Sequence, residues 1–502
     1  MPAKRARILR KGRSCRLRVR FEAEFGGLHS FGHVAREMAL ALLGRRELDL
    51  RLVLRGQWEF PPSEDPKMRN LLPFLDANPE GEVDFHIRHH WPPNFNPPPS
   101  GRWILAQPWE FGSLPEKWVS AFRETVDDVW CFTRYVRDCY HRAGFNPQRT
   151  HIVPHGIDPE LIQPGARTFP LPTQKGFKFL FVGGTLTRKG ADILLDAYLR
   201  AFSPRDDVAL LVKDTGTKTF YLNQTMGDRF IAAGRDPSRP EIVYIDGHLS
   251  EGDLACLYAA CDALVAPYRG EGFALPVLEA MASGLPVIVP CGGATDDFVD
   301  GTCGLRVASN RMELGDTLSD GTKCVAPMFF MEPDIDEVIR AMRWLHENRE
   351  DGKRLGMAAS RRARLEWTWD HVADVVEERL RTLAARPIVR LNQRFEVDAS
   401  ERKSAPDEEV QEAPATNGNL IGDLERALIR GEFEPALGPL REILKLQTFP
   451  REARQVLLFA EKSLGCSSHS PHAASRASYF PHQQDGFSRV STFRKWSNRL
   501  EF

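Results

Sequence analysis

The 502-residue chain contains no apolar run near the roughly 18 residues that a membrane-spanning helix needs. Nor does an apolar signal core follow its basic start, because Arg18 and Arg20 interrupt Leu17, Val19 and Phe21. That alternation reads as a first strand. The nine cysteines are odd in number and lack CxxC spacing, which speaks against a disulfide framework. Free thiols in a reducing cytosol fit this pattern. A net charge of -1 supplies no global field for nucleic acid, and no nucleic-acid partner is expected. Charge is nevertheless uneven: residues 1 to 20 carry nine Lys or Arg and no acid. This arm reads as a solvated tail, the commoner case, or as a contact with anionic lipid or nucleic acid. The expected location is the cytoplasm, with peripheral contact at the inner face of the membrane as the further option.

What is present is globular material, and too much of it for one core, since single cores stop growing at roughly 250–300 residues. Short apolar runs alternate with longer amphipathic ones, the pattern of parallel βαβ units. A basic arm (1–16) precedes a first Rossmann-like domain (17–165). Its strands are expected at Leu17–Phe25, Asp49–Leu54, Trp103–Ala106, Asp128–Thr133 and His151–Val153, with a helix over Ser30–Leu43. Residues 56 to 100 read as irregular, since Pro61-Pro62, Pro92-Pro93 and Pro97-Pro98-Pro99 oppose regular structure. The second domain (166–386) repeats the alternation. Strands are expected at Phe177–Val182, Val208–Val212, Ile242–Ile245, Ala263–Ala266 and Val287–Val289. Ser250 and Asp253 form a helix-start pair before Leu254–Ala260, and further helices are expected at 191–202, 276–282, 334–348, 351–364 and 370–384. An acidic linker (387–417), a helical hairpin resembling one tetratricopeptide unit (418–465) and a Ser-, His- and Arg-rich tail (466–502) complete the chain.

Chemistry concentrates in Glu271-Gly272-Phe273-Ala274-Leu275-Pro276-Val277-Leu278-Glu279. Pro276 sits where a helix should begin. The amides of Phe273, Ala274 and Leu275 then lie in the turn that feeds the helix, where its dipole favours an anionic or hydroxyl-rich ligand. Gly272 allows close backbone approach. Glu271 and Glu279 are acceptors suited to vicinal hydroxyls. By spacing alone they read equally well as a loop charge and a dipole-complementing acid.

A second element, Gly183-Gly184-Thr185-Leu186-Thr187-Arg188-Lys189-Gly190, connects a strand to a helix. Positive charge at a helix start gains nothing from the dipole, so Arg188 and Lys189 read either as an exposed pair or as residues that bind a ligand.

The segment from Glu271 to Gly284 resembles the E-x7-E motif of family 4 glycosyltransferases. The match continues upstream through Ser250–Pro267 and downstream through Gly284-Leu285-Pro286 to Gly304-Leu305. It covers roughly residues 17 to 385 and is stronger in the second half. The resemblance implies an α/β protein of GT-B fold, in which two Rossmann-like, doubly wound domains face a cleft. It implies a retaining, metal-independent hexosyltransferase that uses a nucleotide-diphosphate sugar and needs no cofactor. Its acceptor would be the hydroxyl of a glycan or lipid-linked glycan, as in polysaccharide biosynthesis.

By the same resemblance, Glu271 contacts the transferred sugar, Glu279 the donor ribose, and Arg188 and Lys189 the diphosphate. Gly26-Gly27, Gly184-Thr185 and Gly272 to Leu275 would line the donor, with Gly247-His248-Leu249 near its base. The family's hinge N-G-V-D reads here His155-Gly156-Ile157-Asp158. The histidine many members carry after a first-domain strand is replaced by Gln107-Pro108-Trp109-Glu110, which makes Glu110 an acceptor-side candidate. His90, clustered with His86 and His89 beside Trp91-Pro92-Pro93, is read as acceptor-side or structural, and no metal site is expected. The alternative from another class is a catalytically silent GT-B scaffold whose C-terminal helices bind a protein partner.

Overall fold

The computed structural model of the chain describes residues 16–386 apart from 64, 77–80, 216–223 and 319. The basic arm before Arg16, the linker, the helical hairpin and the tail therefore lie outside the described residues.

Six parallel strands form the first sheet: β1 (Leu17–Ala23), β2 (Leu48–Leu54), β3 (Phe85–His89), β4 (Arg102–Ala106), β5 (Asp128–Cys131) and β6 (Thr150–Ile152), in the order β2-β1-β3-β4-β5-β6. Helices α1 (Ser30–Leu43), α2 (Pro66–Leu71), α3 (Glu116–Phe122) and α4 (Arg134–Arg142) connect them. The caps explain several boundaries. Asp65 accepts from the Met68 amide and Thr133 from the Val136 amide, each satisfying an orphan donor of the first turn.

Residues 56 to 100 are not irregular throughout. They contain α2 and β3, and β3 lies centrally between β1 and β4. Its sequence, Phe-His-Ile-Arg-His, hides a fully buried strand because its polar side chains are neutralised inside the protein. His86 and Arg88 converge with Arg55 on Glu22 of β1, at 2.7, 3.1 and 2.6 Å, and the His90 ring stands 3.4 Å from the same carboxylate. Burial pushes the Glu22 carboxyl up, but these partners outweigh it and hold its pKa far below the ordinary range.

The second sheet has the order β12-β11-β10-β7-β8-β9, again all parallel. Its strands are β7 (Phe177–Gly183), β8 (Val208–Asp214), β9 (Glu241–Ile245), β10 (Ala263–Val265), β11 (Val287–Pro290) and β12 (Leu305–Val307). Between them run α5 (Ala191–Ala201), α6 (Gly227–Gly234), α7 (Glu251–Ala259) and α8 (Leu275–Ala282). The residues of β8, β10 and β11 are buried throughout, as expected of strands covered on both faces.

After β12 the chain forms an antiparallel hairpin absent from the sequence reading, β13 (Ser309–Thr317) and β14 (Lys323–Pro333). Helices α9 (Ile335–Glu347), α10 (Arg349–Glu366) and α11 (Trp369–Ala384) follow.

Helix α11 packs against α1 of the first domain. At the crossover Ile157 donates its amide to Trp367, and Gly156 has no room for a Cβ, which would lie 2.4 Å from the Thr368 carbonyl carbon. Arg379 of α11 makes a two-pronged pair with the fully buried Asp128 of β5, at 2.6 and 2.9 Å. Removing one partner of a buried pair strands the other charge. Arg379→Met should therefore lower unfolding stability by roughly 3–5 kcal/mol in urea titration.

Candidate active site

The loops that follow the C-terminal ends of β4, β7 and β10 meet between the two domains, the usual ligand position in open α/β sheets. The motif turn follows β10. Ala274, the N-cap of α8, has φ 68° and is the non-glycine residue with positive φ among the described residues. For alanine this left-handed conformation costs roughly 1–2 kcal/mol. Strain of this kind persists where surrounding structure enforces it, often at functional sites. Here it turns the amides of Phe273, Ala274 and Leu275 away from any acceptor among the described residues, while Pro276 starts the helix. From the other domain, Thr133 donates its hydroxyl to the Gly272 carbonyl at 3.1 Å. Pro108 approaches so closely that a Cβ on Gly272 would lie 3.0 Å from its Cβ.

Glu271 is ion-paired with Lys189 and stands 3.5 Å from Arg188. Burial alone would raise its pKa, but the Lys189 and Arg188 charges outweigh this and hold the carboxyl below its ordinary range. The same Arg188 guanidinium lies 3.8 Å from Glu110 and donates to the Gly270 carbonyl at 2.7 Å. Burial pushes the Glu110 carboxyl up, opposed by Arg188 and reinforced by Glu271. Two cations and two carboxylates from three loops thus meet at one point. The sequence places Arg188 and Lys189 in one loop, Glu271 in another and Glu110 on the acceptor side; the structure brings all four together.

Glu279 sits deeper, 7% exposed, and accepts a 2.8 Å hydrogen bond from the Tyr258 hydroxyl. Burial raises its pKa, partly offset by His33 and by the Tyr258 bond. His33 of α1 pairs with Glu251 of α7 at 2.9 Å, and Lys67 ion-pairs with both Glu37 and Glu251. His33, Glu37 and Glu251 are close enough to bind a cation, but the Lys67 ammonium already supplies one to the two carboxylates.

Gly26 and Gly27 are buried at the end of β1. A Cβ on Gly26 would meet the Gln57 carbonyl at 2.7 Å, and one on Gly27 the His29 ring at 2.4 Å. Gly184 is buried, and Thr185 is fully buried with its hydroxyl directed to Asp214 at 2.5 Å, which fixes the loop rather than exposing a donor to the cleft. Gly247, at φ 89°, gives its carbonyl to the Lys213 ammonium at 2.6 Å. His248 is exposed and Leu249 packs on the core. The His90 ring is committed to the Pro92 carbonyl at 2.9 Å and to Glu22, a structural placement within the charge cluster of β3.

His155 was read only as a hinge residue. Its buried ring lies 4.3 Å from Phe132 and 4.6 Å from Phe273 of the motif turn, and neither ring nitrogen has a partner among the described residues. Burial, with His89 and His33 nearby, drives its pKa well down and keeps it neutral. Tyr258 and Thr133 were missed as well. A strand-to-helix threonine signals a cap, but nothing local to it reveals a contact 139 residues away.

Residues 176–320 match the family described as glycosyl transferases group 1. These residues are a group 1 glycosyltransferase domain. The family 4 resemblance carried by the motif agrees with the relatives of this domain. The chain is 29% identical over 230 residues to the MMP alpha-(1->4)-mannosyltransferase of Mycolicibacterium hassiacum, covering 45% of this chain and 47% of that protein. It is 33% identical over 163 residues to D-inositol 3-phosphate glycosyltransferase 1 of Catenulispora acidiphila, covering 31% and 38%. The chain thus spans less than half the length of either relative. In fold it is similar to sucrose-phosphate synthase from Thermosynechococcus elongatus, with TM-score 0.51, 16% identity, and coverage of 74% of this chain and 100% of that one. Anabaena HepE, solved with UDP-glucose, gives TM-score 0.51 and 13% identity over 73% of this chain and 100% of that one. The glycosyltransferase domain and the sheet that faces it therefore form the GT-B arrangement. No helix among the described residues is long and apolar enough to cross a membrane.

Proposed function

We propose that the chain transfers a hexosyl group from a nucleotide-diphosphate sugar to an acceptor hydroxyl, with retention of anomeric configuration and without a metal. One observation carries this reading: Arg188 and Lys189 converge on Glu271 beside the unbonded amides of residues 273 to 275. A departing diphosphate needs its growing charge neutralised in a water-poor site, and two fixed cations do this without reorganising. Glu271 accepts hydroxyls of the transferred sugar, and Glu279, held by Tyr258, accepts those of the ribose. The bond to the anomeric carbon breaks with both electrons leaving on the diphosphate, on the face where the acceptor oxygen enters. The leaving phosphate oxygen takes the acceptor proton. The acceptor is a hydroxyl of a glycan or lipid-linked glycan.

A relative in Corynebacterium glutamicum, 31% identical over 156 residues, is a GDP-mannose-dependent alpha-mannosyltransferase, which supports a nucleotide sugar as donor. Thermal-shift measurements with UDP-, GDP- and ADP-sugars test the assignment. The true donor at 100 times its dissociation constant should stabilise the protein by about 2.7 kcal/mol. A chain that no nucleotide sugar or nucleoside diphosphate stabilises would instead be a silent scaffold.

A further inference from the structure

The hairpin β13–β14 emerges from the second domain, yet its returning strand belongs to both. In its first half, Val325 donates its amide to the Leu114 carbonyl at 2.9 Å and Ala326 to the Ser113 hydroxyl oxygen at 3.1 Å. Phe329 donates to the Phe111 carbonyl at 3.0 Å, and Cys324 and Met328 join the buried core around Trp103, Trp109 and Trp118. The Phe329 ring lies against Gly112, where a Cβ would stand only 2.3 Å away. The second half turns to the other domain. Met331 donates to the Arg269 carbonyl at 2.9 Å, and Glu332 ion-pairs with the Arg269 guanidinium, which also holds Asp192 at 2.7 Å.

Between these halves lies the point where the loops meet. A Cβ on Gly270 would stand 2.4 Å from the Glu110 carbonyl oxygen and 3.4 Å from the Phe330 ring. Glu110 itself lies between Trp109 and Phe111, on the segment that the hairpin grips. Tyr135 adds a 3.0 Å hydrogen bond to the Glu110 carbonyl.

We propose that β14 is a strap that holds the Glu110 loop against the Arg188–Glu271 pair and stays docked through turnover, so that Glu110 joins the donor site because the hairpin places it there. The strap closes one rim of the cleft. The domains can hinge at Ile157 only in ways that leave β14 attached to both loops, because separation there would pull Phe329 and Met328 out of a packed core. The hairpin residues act through Glu110 and are positioning residues.

The proposal rests on the transfer reaction above, and two variants with two independent readouts test it. Val325→Pro deletes one strap hydrogen bond at an exposed side chain, and Phe329→Ala removes the buried ring. Both should raise hydrogen exchange in residues 108–113 and 269–272. Both should lower transfer kcat by roughly tenfold to 100-fold while nucleoside diphosphate affinity holds, as expected when a reacting group is misplaced and not lost. Pro115→Cys pairs with the native Cys324, its antiparallel bridge partner, at a separation a disulfide spans. The oxidised variant should transfer sugar like the parent protein.

Wild-type kcat in both loosened variants, or turnover lost on oxidation and restored on reduction, overturns the strap. If the parent protein releases no nucleoside diphosphate from any donor, the transfer reading fails separately. The exchange measurement then decides alone: loosening of both loops supports the strap, and unchanged exchange overturns it.

Discussion

Glu271→Ala should lower sugar transfer by about two orders of magnitude, the loss expected when charge-assisted hydrogen bonds worth up to roughly 3 kcal/mol are made mainly in the transition state. The fold should persist, because Glu271 sits in a loop and no helix or strand depends on its side chain. Its partners make the prediction sharper. Lys189 is ion-paired with Glu271 and Arg188 lies 3.5 Å from it, so removing the carboxylate frees positive charge for a diphosphate. Nucleoside diphosphate should therefore bind the variant as tightly as the parent or more tightly, while kcat collapses. Calorimetry beside steady-state kinetics reads both quantities. A variant that merely damaged the site would lose them together, and one with near-parental kcat would remove Glu271 from the reaction.

The second large effect has the opposite signature. Arg188→Ala should lower kcat/KM by roughly 100- to 1,000-fold, the range measured when one preorganised group that stabilises developing charge is removed. Here nucleoside diphosphate affinity should fall with the rate. Arg188 also pairs with Glu110 and Glu271 and donates to the Gly270 carbonyl, so its loss exposes Glu110 to the repulsion of Glu271, which Lys189 alone still offsets. That repulsion should make the variant more active in relative terms at mildly acid pH. The Glu110 pKa is already raised by burial and by Glu271, and without the opposing Arg188 charge it should rise further. Protonating Glu110 as pH falls through that raised value relieves the repulsion. The ratio of variant to parent kcat/KM should therefore increase as pH is lowered through the mildly acid range over which Glu110 takes up its proton, and a ratio flat throughout that range would contradict the shared role of Arg188.

Both signatures depend on a site whose parts were unequally visible in the sequence. Most of the second domain was transparent, apart from α6, β12 and the β13–β14 hairpin. Phe177–Gly183, Ala191–Ala201 and the helices after 334 announce themselves by period, and Ser250 by its cap, because each element is decided by local pattern. Strand β3 was opaque for a physical reason. Three prolines pairs or runs surround it, and its histidines and arginine look solvent-facing until Glu22 is placed beneath them. Short helices α3 and α4 went unread between the strands they connect. The hairpin was invisible because much of its stabilisation comes from elsewhere: β14 carries Pro327, its register with β13 shifts near Gly315, and its apolar residues pack into the opposite domain.

The site divides in the same way. Glu271, Glu279, Arg188 and Lys189 could be named from motif and loop position. That Glu110 would share Arg188 with Glu271 is a consequence of the hairpin and of glycines 270 and 272, where close approach leaves no space for a side chain. The commitments of Thr185 to Asp214 and of His90 to Glu22 are likewise long-range facts. So is the position of His155 against Phe273. Periodicity has nothing to say about any of them.

The central claim is that the meeting point of Arg188, Lys189 and Glu271 is where a nucleotide sugar loses its diphosphate. Its most direct test is release of nucleoside diphosphate from UDP-, GDP- and ADP-sugars by purified protein, run beside Glu271→Ala. The account predicts release from at least one donor by the parent protein and its near disappearance in the variant, with nucleoside diphosphate binding retained. Release from no donor, or release unchanged in Glu271→Ala, would contradict it.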